Sequence, residues 1–202
     1  MLADPPGRDA FDLEGIVALG LGLRQGEILG LRWREIDLEG CALRVQMSLQ
    51  LVHGAHTLVE PKTTRNRRTL PTPALVNHSL ARRRVEQEAD RLRAGVLWRE
   101  AIPDLVFTTA LGAPRYGTSL THTFHRLLEV EGVPQRTVHT LRHSAATMML
   151  GGGIDLKTVS TVLGHRQIEL TADPYGATLP GLKLEAASRM DELLGKRLPS
   201  TT

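Results

Sequence analysis

The 202-residue sequence predicts an α+β fold that is mostly helical and carries a small antiparallel β-sheet. Apolar residues recur with helical spacing over most of the chain, whereas residues 42–51 alternate with the period of a strand. Hydrophobic residues at 41% and charged residues at 23% are typical of a domain that buries its own core. No apolar run approaches the roughly 20 residues of a membrane-spanning helix, and the first residues do not resemble a secretory signal. With Cys41 as the single cysteine, these features favour a cytoplasmic protein without disulfides or membrane contact.

The first half of the chain is predicted to contain two apolar helices, a small sheet and a long helix. Paired glycines separate the first two helices, and residues 53–56 turn the first strand back. The predicted elements are helices over 11–23 and 24–33, strands over 42–51, 58–62 and 68–71, and a helix over 74–94. The apolar stripe predicted for the long helix consists of Ala81, Val85, Ala89 and Leu92.

The second half is predicted to be helical apart from a short strand at 105–107. Glycines mark the ends of several helices, notably Gly164 and the run 151–153. The predicted helices span 119–130, 138–150, 156–163 and 184–194. The last of these is amphipathic and is compatible with packing either within the chain or onto a neighbouring subunit.

Basic residues concentrate in the middle of the chain. Residues 61–93 contain nine Lys or Arg against three Asp or Glu. In the helical part of this stretch, pairs such as Arg82 and Glu86 are spaced i,i+4, which is ordinary for a solvated helix face. The part from Lys62 to Arg68 has no such acidic partners, so it would attract a polyanion such as nucleic acid.

A helical segment from His139 to His143 brings basic side chains together. The i,i+3 spacing places His139 and Arg142 on one face of the helix. The i,i+4 spacing of the two histidines could suggest a metal site, but Arg142 would lie beside the ion and the glutamate of a His-Glu-x-x-His site is missing. We interpret His143 as a core histidine. An arginine beside the inward face requires an anionic partner, either a carboxylate or a phosphate.

Lysine and tyrosine are both sparse in this sequence. Lys62 is the only lysine among the first 150 residues and stands on the turn of a basic hairpin. This hairpin is predicted from the strands 58–62 and 68–71, with residues 63–67 as their exposed turn. Lysine can act as a general acid where arginine cannot, although chance could also leave a single lysine there. The two tyrosines are Tyr116 and Tyr175, and the second follows His165 by ten residues.

Several of these segments resemble one known family. Residues 22–33, followed by Glu35-Ile36-Asp37, resemble the first signature box of the tyrosine recombinases, which are the integrases of phages and mobile elements. Pro61-Lys62-Thr63 with Arg67-Arg68 is similar to the lysine hairpin of that family. The second box is matched, in order, by His139-Thr140-Leu141-Arg142-His143, Leu163-Gly164-His165 and Tyr175. All of the boxes occur in the right order over most of the chain, which makes the combined signal specific.

The resemblance implies a mechanism and assigns a role to each matched residue. Arg24 and Arg142 would clamp a DNA phosphate, Lys62 would be the general acid, His139 and His165 would handle protons or bind phosphate, and Tyr175 would be the nucleophile. Further DNA contacts are expected from Arg65, Arg67 and Arg68. Glu27, three residues after Arg24, could orient that arginine or be a surface acid. A 3′-phosphotyrosine intermediate conserves the energy of the bond, so no cofactor and no metal are expected.

The expected function is therefore site-specific DNA recombination, with double-stranded DNA as the partner and self-association of subunits on it. The predicted organisation is a short segment 1–12, a catalytic domain 13–182, and a C-terminal helix and tail 183–202, without the N-terminal core-binding domain of the family. Three alternatives are open at this stage. One is a truncated, non-catalytic DNA-binding remnant, and another is a DNA cleaver that resembles type IB topoisomerases. The third is a protein whose basic patch is only a soluble surface and does not bind DNA.

Overall fold

The computed structural model describes residues 8–60 and 67–164, with side chains from residue 13 onward. Within these ranges the chain is mostly helical with short antiparallel strands, so the predicted α+β class is confirmed. The helices are α1 (Arg8–Leu21), α2 (Gln25–Leu29), α3 (Ala74–Ala94), α4 (Gly117–Val130), α5 (Val138–Gly151) and α6 (Leu156–Leu163). The strands are β1 (Ile36–Asp37), β2 (Ala42–Val45), β3 (Ser48–Val52), β4 (Ala55–Val59) and β5 (Arg68–Pro71). The predicted helix 184–194 lies outside the described residues.

The described strands form two separate antiparallel sheets, whereas the sequence predicted one. In the first sheet β2 lies between β1 and β5 and places Leu43 opposite Leu70. In the second sheet β3 pairs only with β4, because the two-residue turn His53-Gly54, with φ values of 50° and 83°, folds β4 directly back onto its neighbour. For the described residues of these strands, the predicted pairing of 58–62 with 68–71 is therefore wrong. The strand β5 pairs with β2 instead.

Two glycines, Gly26 within α2 and Gly30 directly after it, allow the helix to contact the backbone of β3. Gly26 and Gly30 are four residues apart and face the same strand. A Cβ atom on Gly30 would lie 2.7 Å from the backbone nitrogen of Leu49, and one on Gly26 would lie 3.0 Å from the carbonyl oxygen of Leu49. Any larger residue would push α2 away from the strand. This close approach explains the glycine spacing in the first signature box.

The main core joins α1, the first sheet and α3. Its buried members include Leu13, Val17, Leu21, Leu43, Val45, Leu70, Val76, Leu80 and Phe107. Two smaller apolar clusters lie beside it, one joining α2, β3, α4 and α5, and the other joining α5 to α6. None of the helices in 8–60 and 67–164 combines the length and the apolar character needed to cross a membrane.

The bounds predicted for α3 are correct, but the predicted inward face is wrong. Val85 is 72% exposed and Leu92 is 82% exposed. The inward face instead carries the buried Arg83 and the half-buried Gln87, which donate hydrogen bonds to the Val106 carbonyl at 3.1 Å and the Leu105 carbonyl at 2.8 Å, respectively. Residues 105–108 make only isolated bridges, so their carbonyls need donors from elsewhere. Polar side chains of α3 supply those donors, which is why its buried face is not the apolar stripe.

Glu14 is a fully buried carboxyl group within α1. Its Oε1 accepts a hydrogen bond from Arg115 at 2.9 Å, whereas its Oε2 has no hydrogen-bond partner among the described residues. Burial raises the pKa of Glu14 to about 7, although the positive charges of Arg115 and Arg83 oppose the shift. The unfolded chain then releases this proton at lower pH than the folded protein does. The free energy of unfolding should therefore fall as the pH rises from about 4.5 to about 7.

Replacing Glu14 with glutamine should remove this pH dependence, because an amide keeps the shape of the carboxyl group but does not ionise. The stability of Glu14→Gln relative to wild type should rise by up to about 3 kcal/mol between pH 5 and pH 8. Urea unfolding at each pH measures this difference. Glu88→Gln, on the exposed face of α3, is the matched control. A Glu14→Gln difference that stays constant across this pH range would contradict the assignment.

Candidate active site

Arg24 lies where the chain passes from α1 to α2. Its backbone N–H donates to Glu27 Oε2 at 3.0 Å, and its Nη1 donates to Glu27 Oε1 at 2.8 Å. Glu27 is buried, which confirms that it orients Arg24 and is not a surface acid. The Arg24 side chain is 40% exposed, so its guanidinium is held from one side and open to solvent on the other.

Arg142 projects from α5 towards the same connection. It is 3% exposed, and its Nη1 donates to the Gly22 carbonyl at 2.6 Å while its Nη2 donates to the Leu163 carbonyl at 2.6 Å. We expected an anionic partner for Arg142, whereas these two contacts are made to backbone carbonyls. Gly22 has a φ of 61°, and a Cβ atom there would lie 2.4 Å from Leu163 Cδ2. A glycine is therefore needed where Arg142 and α6 meet this connection.

The C-terminal end of α6 gathers three arginine side chains. The carbonyl of Val162 accepts from Arg68 Nε at 2.7 Å, the carbonyl of Leu163 accepts from Arg142, and the carbonyl of Gly164 accepts from Arg24 Nη2 at 3.2 Å. The last carbonyls of a helix lack intrahelical partners and carry partial negative charge. Consecutive carbonyls therefore bring Arg24 and Arg142 to one place, although the two residues are far apart in the sequence.

His139 begins the face of α5 that also carries Arg142. Its ring centroid lies 4.8 Å from that of His143, with the rings nearly perpendicular at 84°. Partial burial lowers the pKa of His139 below its usual value, and the neighbouring His143, Arg142 and Arg24 lower it further. A neutral imidazole beside two guanidiniums can accept a proton. Within 8–60 and 67–164, no three His, Cys, Asp or Glu side chains form a group that could hold a metal ion.

The remaining predicted site residues divide into three groups. Lys62, Arg65, His165 and Tyr175 lie outside the described residues. Arg67 has an exposed side chain that pairs with Glu60 on the surface. Arg68 was predicted to bind DNA, but its side chain is only 6% exposed and bonds to Glu27 and to the Val162 carbonyl. We correct that prediction, because a guanidinium buried in this way is not presented to a DNA backbone.

A separate cavity of about 430 Å³ lies between α2, the β3–β4 hairpin and the start of α4. Its lining includes Gln25, His56, Tyr116 and His122 but none of Arg24, His139 and Arg142. Gln25 also donates to the Gly117 carbonyl at 2.7 Å, which attaches the first turn of α4 to the residue next to Arg24. The cavity is therefore separate from the arginine cluster, for which the sequence predicts the chemistry.

Comparison with solved structures supports the fold. The chain superposes on the Tn1549 transposon integrase in complex with transposon right end DNA with a TM-score of 0.73 at 23% identity, covering 93% of this chain and 58% of that one. It superposes on XerH site-specific recombinase bound to palindromic difH substrate with a TM-score of 0.63 at 20% identity, covering 95% of this chain and 48% of the other. At this level of identity the likeness shows the fold.

Sequence comparison supports the family. A tyrosine recombinase XerC-like protein of Caldanaerobacter subterraneus subsp. tengcongensis is 37% identical over 188 residues, which are 88% of this chain and 48% of the relative. The ICEBs1 integrase of Bacillus subtilis is 28% identical over 178 residues, with the same coverage of 88% and 48%. The chain thus spans about half the length of the curated relatives it matches. The profile of the phage integrase family matches residues 16–179, and the chain belongs to that family.

Proposed function

We propose that this chain is the catalytic part of a site-specific DNA recombinase that cuts and rejoins DNA through a 3′-phosphotyrosine intermediate. The observation that carries the proposal is the convergence of Arg24 and Arg142 on adjacent carbonyls at the end of α6. Two guanidiniums held in fixed positions suit the charge that develops on a phosphodiester under attack. Catalysis is assigned to residues 13–182.

The reaction consists of two transesterifications. The Tyr175 hydroxyl oxygen attacks the phosphorus, a Tyr175 oxygen–phosphorus bond forms, and the bond from phosphorus to the 5′ oxygen breaks. A histidine, His139 or His165, takes the tyrosine proton, and Lys62 protonates the departing 5′ oxygen. A 5′ hydroxyl of a partner strand then attacks the phosphotyrosine, which joins the new strands and releases Tyr175. No bond energy is lost, so the reaction needs no nucleotide cofactor.

The partner in this proposal is double-stranded DNA in the cytoplasm, with several copies of the protein assembled on it. The related Tn1549 and XerH structures contain DNA, which supports this choice of partner. The exposed guanidinium of Arg67, together with Arg65, is proposed to contact the DNA backbone next to the site.

The proposed nucleophile can be tested with a nicked suicide substrate. A library of duplexes, randomised on both sides of a nick and labelled at the 5′ end of the cleaved strand, lets a short fragment escape after cleavage and traps the adduct. Wild type should form a covalent complex that survives denaturing electrophoresis, and Tyr175→Phe should lower its yield at least about 10³-fold, because the attacking oxygen is missing. DNA binding should be retained.

Tyr116→Phe is the matched control, because the chain has only two tyrosines and Tyr116 is 52% exposed on the surface. This variant should form the adduct like wild type. Absence of any adduct with wild type, together with DNA binding that Tyr175→Phe leaves unchanged, would favour the non-catalytic remnant. The topoisomerase-like alternative would be favoured if the protein relaxed supercoiled plasmid but did not exchange DNA strands between two copies of a site recovered from the library.

A further inference from the structure

The Glu27 carboxylate is shared between two arginines that differ in exposure. One is Arg24, which donates at 2.8 Å and reaches solvent. The other is Arg68, whose Nη2 donates to Glu27 Oε2 at 3.0 Å and whose Nη1 donates to Oε1 at 3.3 Å. The carboxylate therefore joins an open guanidinium to a buried one. Only the open guanidinium is positioned to meet a substrate phosphate.

Arg68 is buried because of its register in β5. It lies opposite Val45 of β2 and two residues before Leu70, so its side chain shares the core face of the strand. From this position it reaches Glu27 on α2 and the Val162 carbonyl at the end of α6. One side chain thus connects the sheet to both segments that hold Arg24. A Cβ atom on Gly164 would lie 3.1 Å from Arg68 Nη1, which shows how closely the helix end is packed.

We infer that Arg68 is a positioning residue: it fixes Glu27 and the end of α6 so that the Arg24 guanidinium stays directed at the scissile phosphate, and it does so without touching DNA. This inference rests on the proposed function. Its electrostatic basis is the ionisation of Glu27. Burial pushes the pKa of Glu27 upward, but the hydrogen bond and charge of Arg68, together with those of Arg24, outweigh burial and hold that pKa below its usual value.

The test compares two variants of Arg68, Arg68→Lys and Arg68→Met, with variants of two other arginines of the same region. Lysine keeps the positive charge, and therefore the folded state, but cannot bridge Glu27 and the Val162 carbonyl in the same way. The matched control is Arg44→Met, because Arg44 lies on β2 in the same sheet but on its exposed face. Arg67→Met serves as the comparison for a direct backbone contact, since that side chain is exposed.

Two kinds of measurement separate positioning from DNA contact. Adduct formation by Arg68→Lys at saturating DNA should slow by about 10- to 100-fold, because a misplaced catalytic group is costly. The salt dependence of its DNA affinity should stay that of wild type. Arg67→Met should instead lower the salt slope by about 1. Arg44→Met should match wild type in both measurements.

A neutral substrate shows whether Arg68 acts through Arg24. In a methylphosphonate, a methyl group replaces one non-bridging oxygen, so the group is neutral. Its transition state then needs less stabilisation by guanidiniums than that of a charged phosphodiester. The defect of Arg68→Lys should shrink at least about threefold on this substrate if it arises from the placement of Arg24. An equal defect on both substrates, tracking a lower melting temperature, would overturn the inference in favour of a merely structural role. A salt slope reduced by one would overturn it in favour of direct phosphate contact.

A measurement without DNA keeps this test separate from the test of the proposed function. The order parameter of the Arg24 Nε–H group, from ¹⁵N relaxation, reports how tightly that side chain is held. It should fall in Arg68→Lys and stay unchanged in Arg44→Met. If wild type forms no adduct but the order parameter falls as expected, the proposed function fails while the positioning contact stands. If wild type forms the adduct and neither the order parameter nor the cleavage rate changes in Arg68→Lys, the positioning role fails alone.

Discussion

Arg142→Ala is expected to reduce the rate of adduct formation by about 10²- to 10³-fold, the usual effect of removing one fixed donor from a transition state. It should also lower the free energy of unfolding, because the Gly22 and Leu163 carbonyls would lose the donors that now lie 2.6 Å away. A buried carbonyl without a partner costs about 1–3 kcal/mol. Single-turnover cleavage and urea unfolding measure the two effects separately.

Arg142→Lys and Arg136→Ala complete this experiment. Lysine keeps the charge but offers no planar fork, so it should restore some stability without restoring the rate. Arg136 is exposed just before α5, and its replacement should change neither quantity. If Arg142→Ala cleaved DNA within about tenfold of wild type, the phosphate clamp would need another donor in place of Arg142.

Glu27→Ala should produce the largest loss of stability among the variants considered. Removing this carboxylate leaves the Arg68 guanidinium, at 6% exposure, without its counter-charge. Breaking a buried ion pair by removing one partner costs about 3–5 kcal/mol. Arg24 contributes less to this loss, because water can solvate its exposed side. Chemical unfolding of Glu27→Ala, with the exposed Glu88→Ala as control, measures the effect.

A double-mutant cycle identifies the origin of that loss. If the cost of Glu27→Ala arises from an unpaired charge on Arg68, removing both groups should be milder than the sum of the two single changes. Glu27→Ala combined with Arg68→Met should therefore recover at least about 1 kcal/mol relative to additivity. Strict additivity would mean that the two side chains stabilise the fold independently, contrary to their 3.0 Å contact.

Local sequence patterns predicted the helices well because helical periodicity depends on neighbouring residues. The span predicted for α6, 156–163, is the observed span, and α3 also has the predicted bounds. Which face of α3 is buried depends on residues 105–108, which lie distant in the sequence and present carbonyls instead of apolar side chains. The division of 42–51 between two sheets likewise depends on which distant strand pairs with β2. Pairing between distant strands leaves little trace in local alternation.

The candidate site was only partly predictable for a similar reason. The pairing of Arg24 with Glu27 follows from their i,i+3 spacing, and the structure confirms it. The partners of Arg142 and Arg68 include backbone carbonyls at the end of α6, and a carbonyl has no signature in the sequence. One signal for Arg68 was present, since it lies two residues before Leu70 and strand alternation places both on one face. The resemblance to a DNA-binding hairpin obscured that signal.

The separation of the β3–β4 hairpin from the sheet that carries Arg68 has a consequence for how such proteins diversify. Because the two sheets share no strand among the described residues, residues added or lost near the His53-Gly54 tip break no hydrogen bond of the other sheet. Leu49 is buried near the base of this hairpin, whereas Leu51 and Val52 towards its tip are exposed. Insertions at that tip could therefore accumulate during evolution and reshape the surface beside α4 while the chemistry stays intact.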